Sequence, residues 1–165
     1  MLEQKIERYI KDTLPGEVQK LALDFTAYLR TNGMLFERGK DYWEDKLYFM
    51  TKYRDVYVCF ILIGDSENTG SPWTIWSDIS DSSDAQWYEN TPVDRYTKKI
   101  AFQNVDFCGK CSPNELCYGG MRKTVFGTEF ENVCRTTFRF NNPNVKTLEC
   151  IKKLVDLRKD KICKN

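Results

Sequence analysis

Eight consecutive residues, Val56-Tyr57-Val58-Cys59-Phe60-Ile61-Leu62-Ile63, carry apolar or aromatic side chains at odd and even positions alike. The run is rich in β-branched and aromatic types and too short for a buried helix, so it reads as a strand. Successive side chains of a strand point to opposite faces. A strand with no polar face must be covered on both sides, which places it at the centre of a sheet. Lys46 to Tyr53 is its natural partner. Arg54-Asp55 between them predicts a tight hairpin that lacks the usual glycine.

The rest of the chain supplies covers for that sheet. Residues 2 to 12 predict a short helix, with Leu2, Ile6, Tyr9 and Ile10 on one side. Pro15 breaks it and opens a second helix bearing Val18, Leu21, Ala22, Phe25 and Leu29 at helical spacing, stopped at Asn32-Gly33. Further strands are predicted at 34 to 37, 72 to 76, 123 to 126 and 136 to 140. Thr91-Pro92 predicts a short helix with Val93, Tyr96 and Ile100 inward. Asn142-Pro143 predicts the start of a final helix with Leu148, Ile151, Leu154, Val155 and Ile162 as its buried stripe. No internal repeat, linker or low-complexity tract divides the 165 residues, which suit a single domain. Helices at both ends of a run of strands predict an α+β fold, a mostly antiparallel sheet with the N-terminal and C-terminal helices packed on one face.

Charge and hydropathy narrow the function classes. A net charge of +1 gives no global field toward nucleic acid or membrane, so nucleic acid is an unexpected partner. No apolar run approaches the roughly 18 residues of a membrane helix. The N-terminus, Met1-Leu2-Glu3-Gln4-Lys5, lacks the basic start and apolar middle of a signal peptide. A cytoplasmic location with reduced or metal-bound thiols is therefore expected.

Two constellations carry candidate chemistry. The first is the set Cys108, Cys111, Cys117 and Cys134, spaced C-x2-C-x5-C-x16-C in a cysteine-containing loop over 106–134. Four thiolates suit a tetrahedral structural zinc, and Gly109-Lys110 fits the tight turn of a C-x2-C pair. With no histidine in the chain, a soft-metal site must be built from sulfur. Plain packing of reduced thiols and thiol redox chemistry are the competing readings. Cys59, inside the central strand, is core filler.

The second constellation is aromatic and acidic. Trp73, Trp76, Trp87 and Tyr88 lie close in sequence, and residues 77–94 hold Asp78, Asp81, Asp84, Glu89 and Asp94 with no Lys or Arg. Trp73, Trp76, Asp78, Trp87 and Tyr88 thus form a candidate ligand site, an aromatic wall with a carboxylate rim for a cationic or planar small molecule. Strand alternation sends Trp73 and Trp76 to opposite faces, one into the core and one to an open face. The competing reading is core tryptophan beside a solvated acidic loop. Residues 135–165 hold nine Lys or Arg against three acids, which reads as a solvated helix face.

No conventional catalytic set is visible. The chain has no histidine base, no G-x-S-x-G elbow, no Walker loop and no G-x-G-x-x-G, so the reading leans away from an enzyme.

Three blocks carry a resemblance: Cys108-Gly109-Lys110-Cys111, Val125-Phe126-Gly127-Thr128-Glu129-Phe130-Glu131-Asn132-Val133-Cys134, and Phe138-Arg139-Phe140-Asn141-Asn142-Pro143. Together with Pro72-Trp73-Thr74-Ile75-Trp76-Ser77-Asp78 they resemble the signature of a family of short, uncharacterised bacterial proteins. Some members are labelled effector-binding components of transcription regulators. The resemblance implies a bacterial cytosolic protein and carries over no catalytic residue. No helix-turn-helix pattern is present, so a regulator of this kind would take its DNA-binding part from a partner. The leading expectation is a small-molecule (effector) binding module. The alternatives are a zinc-stabilised protein-interaction module, with a protein as partner, and a thiol redox protein.

Overall fold

The computed structural model describes residues 5–40, 43, 45–77, 88–109, 117 and 119–164, the side chains of residues 68 and 69 excepted. Asp78, Trp87 and Cys111 lie outside the described residues, as does the predicted helix start at residue 2.

The central strand forms as its pattern requires. β3 (Val56–Ile63) lies between β2 (Tyr48–Tyr53) and β4 (Trp73–Ser77), antiparallel to both. With β1 (Leu35–Arg38), β5 (Val105–Phe107), β6 (Met121–Val125) and β7 (Thr128–Asn141) the sheet runs β1-β2-β3-β4-β7-β5, and β6 pairs with β7. Every pairing is antiparallel.

The hairpin between β2 and β3 closes through Tyr53 opposite Val56. Arg54 and Asp55 both adopt the left-handed conformation, φ 50° and 64°, which is the twist a two-residue hairpin needs. Two L-residues thus hold a turn that glycine usually serves. A bulge follows at once. Thr51 faces Cys59, and Lys52 faces Tyr57, so Val58 is the extra residue. Val58 and its neighbour Cys59 consequently enter the same core cluster, an interruption of strict alternation that bulges produce.

All the longer helices cover one face. α1 (Ile6–Thr13) and α2 (Gly16–Thr31) precede the sheet. α3 (Ser66–Thr69) is one turn between β3 and β4, and α4 (Arg95–Gln103) and α5 (Val145–Lys164) cover the C-terminal half. Ile6, Ile10, Phe25, Leu29, Ile100, Leu148, Ile151 and Leu154 meet Phe49, Ile61, Ile63, Trp73, Ile75, Phe138 and Phe140 in one cluster. The architecture is α+β, with a mostly antiparallel sheet. Tyr28 fastens α2 to α5, donating to the Lys152 carbonyl at 3.0 Å and to the Asp156 carboxylate at 2.5 Å. Arg30 pairs with Glu7 and so joins α2 to α1. Among the described residues no helix is long and apolar enough to cross a membrane.

Several expected boundaries move. α4 starts after Asp94, whose carboxylate accepts from the Thr97 amide at 2.8 Å, and not at Thr91-Pro92. Tyr96 accordingly points outward, while Thr97, Ile100 and Ala101 are buried. α5 is capped by Asn144, which accepts from the Thr147 amide at 2.9 Å, and not by Asn142, which adopts a left-handed φ of 44°. The stretch 106–134, expected as a loop, is in its described parts largely strand. β6 and β7 form a hairpin through Phe126-Gly127, and β5 is a strand that three residues of sequence did not signal.

Two substitutions test this packing. A Cβ on Gly39 would sit 1.9 Å from the Tyr48 ring, and that ring is fully buried with no room to retreat. Gly39→Ala should lower the urea midpoint sharply. Phe138→Ala should cost about 3–5 kcal/mol by leaving a cavity in the helix-side core, with an unchanged urea dependence.

Candidate functional site

Strand alternation separates the two tryptophans of β4 as expected. Trp73 faces the helices, 1 % exposed, with its ring edge-on to Phe25 at 6.4 Å. Trp76 faces the other side, where Tyr48, Met50, Phe60 and Leu62 form a second buried cluster flanked by Trp43 and Tyr57. Trp43 lies 5.2 Å from Trp76, ring to ring. Tyr88 does not join this face. It is fully buried in the helix-side core, and its hydroxyl bonds Thr137 Oγ1 at 2.9 Å. Trp73 and Tyr88 are thus buried on the helix side of the sheet, on the face opposite Trp76.

The second face becomes polar toward β7 and β5. Register sets Arg139 opposite Trp76, and the guanidinium lies 5.7 Å from the indole centroid. Arg139 Nε donates to Asn141 Oδ1 at 3.2 Å, which also accepts from Thr74 Oγ1 at 3.1 Å. Asp106, the middle residue of β5, is half-buried on the same side. The Cys134 thiol and the Trp76 indole act on its carboxylate from this side. Burial raises the Asp106 pKa and outweighs the lowering influences of the Arg139 charge, the Cys134 thiol and the Trp76 indole. Thr136 Oγ1 donates to Cys134 Sγ at 3.4 Å.

The backbone under this cluster is irregular. From Val133 to Phe138 β7 advances five positions, while its partner β5 advances only from Phe107 to Val105. Cys134 and Thr136 belong to that bulged stretch, and bulges re-aim side chains where a regular strand cannot. Thr137 within it has a φ of 57°, unusual for a β-branched residue. The buried Lys123 ammonium holds the bulge, donating to the Arg135 carbonyl at 2.8 Å and to Thr137 Oγ1 at 2.7 Å.

Asp106, Arg139 and Trp43 escaped the sequence reading. The signal was present in Val105-Asp106-Phe107 and Phe138-Arg139-Phe140. Each is a lone charge between apolar neighbours, which in a strand sends that charge to the face opposite its flanks.

The cysteines divide into two sets. Cys59 and Cys150 are buried, and burial pushes both thiols up to about 12. Cys108 and Cys134 flank the rung where Phe107 faces Val133. The Cys108 amide donates to the Asn132 carbonyl at 2.8 Å. Gly120 approaches so closely that a Cβ there would lie 2.8 Å from Cys108 Cβ, which brings the segment following Cys117 against Cys108. Among the described residues no three Cys, Asp or Glu side chains converge as a metal site. Cys111 is not among those residues.

No family model, curated protein or solved structure matches the chain.

Two measurements follow from this geometry. Native protein treated with a thiol reagent at neutral pH should leave Cys59 and Cys150 unmodified until denaturant is added. Peptide mapping of the labelled sites reads the outcome. For Asp106 the folded pKa lies above the unfolded one. Its favourable contribution is complete below the unfolded carboxyl pKa and is lost as pH rises through the folded value. Asp106→Asn should therefore raise stability at neutral pH and flatten that part of the pH–stability curve.

Proposed function

We propose that the protein is a small-molecule-binding module of the effector kind, with its ligand seated at the polar end of the second sheet face. The observation that carries this reading is the grouping of an indole, a carboxylate and a guanidinium from three neighbouring strands, beside a bulge in β7. Burial raises the Asp106 pKa against the lowering influences of Arg139, Cys134 and Trp76, so its ionised form is held there at a cost. A cation from outside relieves that cost, and a planar one also stacks toward the aromatic cluster. The ligand class is thus a planar compound carrying an amine or amidine. Trp76 is 8 % exposed, so the ligand meets its edge and contacts chiefly Asp106, Arg139 and Cys134, all half-buried. The likeness of the Pro72–Asp78 and Phe138–Pro143 blocks to a family of uncharacterised bacterial proteins, some of them labelled effector-binding, points the same way.

A second reading is a zinc-stabilised protein-interaction module. Its support is the approach of Gly120 to Cys108 beside the rung where Phe107 faces Val133; the Cys108, Cys117 and Cys134 thiols do not converge in this structure, so zinc would have to draw them together. Zinc there would require Cys111 as the fourth thiolate.

Titration with planar amines and amidines should give a saturable change in tryptophan emission, absent in Trp76→Phe and weakened about tenfold in Asp106→Asn, the loss of roughly one charge-assisted contact. A flat response across such a library would remove the effector reading. Metal analysis after purification without added zinc decides the second. One zinc per chain, lost with several degrees of thermal stability in Cys134→Ser, supports it, whereas metal-free protein with seven titratable thiols excludes it.

A further inference from the structure

α5 turns a stripe of side chains onto the sheet: Leu148, Ile151, Leu154, Val155, Arg158 and Ile162. Five are aliphatic. The sixth, Arg158, is 1 % exposed, as deeply placed as its apolar neighbours, and it occupies the position a leucine would fill. None of its nitrogens, Nε, Nη1 or Nη2, has a hydrogen-bond partner among the described residues. The acids of its own helix are engaged or turned away. Asp156 accepts from Tyr28, Glu149 pairs with Lys152, and Asp160 is exposed. Asp94, on the neighbouring helix α4, pairs with Lys153.

An arginine side chain keeps its charge wherever it is placed, so the position holds a fixed cation. Leaving such a charge buried and unpaired forfeits a large share of the small free energy that holds a domain together. Apolar side chains of similar volume would serve the stripe better, so the residue is explained by something that it binds. Its planar fork of donors matches a carboxylate or a phosphate in bidentate geometry.

We propose that Arg158 anchors an internal anion site between α5 and the sheet, taking a small oxyanion, a carboxylate or phosphate group, in the fork of its guanidinium. The site is separate from the cluster around Trp76, which lies on the opposite face of the sheet. It links the stability of the whole domain to the concentration of the anion, because only the folded state assembles it.

Thermal unfolding of the full chain tests this with acetate and inorganic phosphate as probes. Ionic strength is held constant with the sodium salt of a bulky sulfonate buffer. The wild-type midpoint should rise saturably by several degrees with at least one probe, and the two arms distinguish a carboxylate ligand from a phosphate one. Arg158→Met should fold, show a higher midpoint than wild type without anion, and respond to neither probe. Equilibrium dialysis with the effective probe should give a single site that is absent in Arg158→Met. A wild-type midpoint that is flat with both probes, or an equal rise in wild type and Arg158→Met, would overturn the proposal. So would a carboxylate of the chain itself serving as counter-charge. In that case Asp78→Asn, Asp81→Asn or Asp84→Asn would lower the wild-type midpoint while leaving that of Arg158→Met unchanged.

Discussion

From Val58 to Ile63 every side chain of β3 is buried, and the two faces of that strand enter different clusters. Ile61 and Ile63 meet the helices, while Phe60 and Leu62 meet Tyr48, Met50 and Trp76. Each such side chain contributes about 2 kcal/mol when removed from water, so neither face can be left uncovered. The helices satisfy one requirement. On the other face Trp43 lies over Tyr48, Phe60 and Trp76, with ring separations of 5.0, 6.3 and 5.2 Å. A sheet with two buried faces is a less common solution for an antiparallel fold, which usually leaves one face to solvent.

That demand explains where polarity collects. Hydrophobic pairing fills the second face from β2 through β4, and the charges Arg139 and Asp106 appear only where β7 and β5 take over. Opposite charges from adjacent strands, partly shielded from water, interact more strongly there than at the open surface. Desolvation still leaves the carboxylate with a raised pKa. A group in that state is responsive, since any additional cation, or a proton, changes its energy appreciably.

The long strand β7 serves three partners, pairing with β6, β5 and β4 along its length. A regular strand of 14 residues could not twist enough to meet all of them. The bulge between Val133 and Phe138 supplies the bend, at a cost of about 1–3 kcal/mol for the left-handed Thr137. Lys123 and Tyr88 offset that cost by bonding the Thr137 hydroxyl from two sides. Tyr88 thus has a structural role.

Local pattern determined much of the architecture. The two-faced apolar run fixed β3 as central, the spacing of Ala22, Phe25 and Leu29 fixed α2, and alternation alone sent Trp73 and Trp76 to opposite faces. These properties depend on side-chain period, which a sequence displays directly. β5 was not legible, because three residues carry too little periodicity to register. Helix starts shifted to Asp94 and Asn144, where a carboxylate or amide oxygen reaches an amide three residues on, in preference to the nearby prolines. The joining of Asp106 with Trp76, Arg139 and Cys134, and the enclosure of Arg158 beneath α5, were decided by tertiary structure alone. They arise from strand order and register between segments far apart in the chain, and no local period encodes which strand will lie beside which.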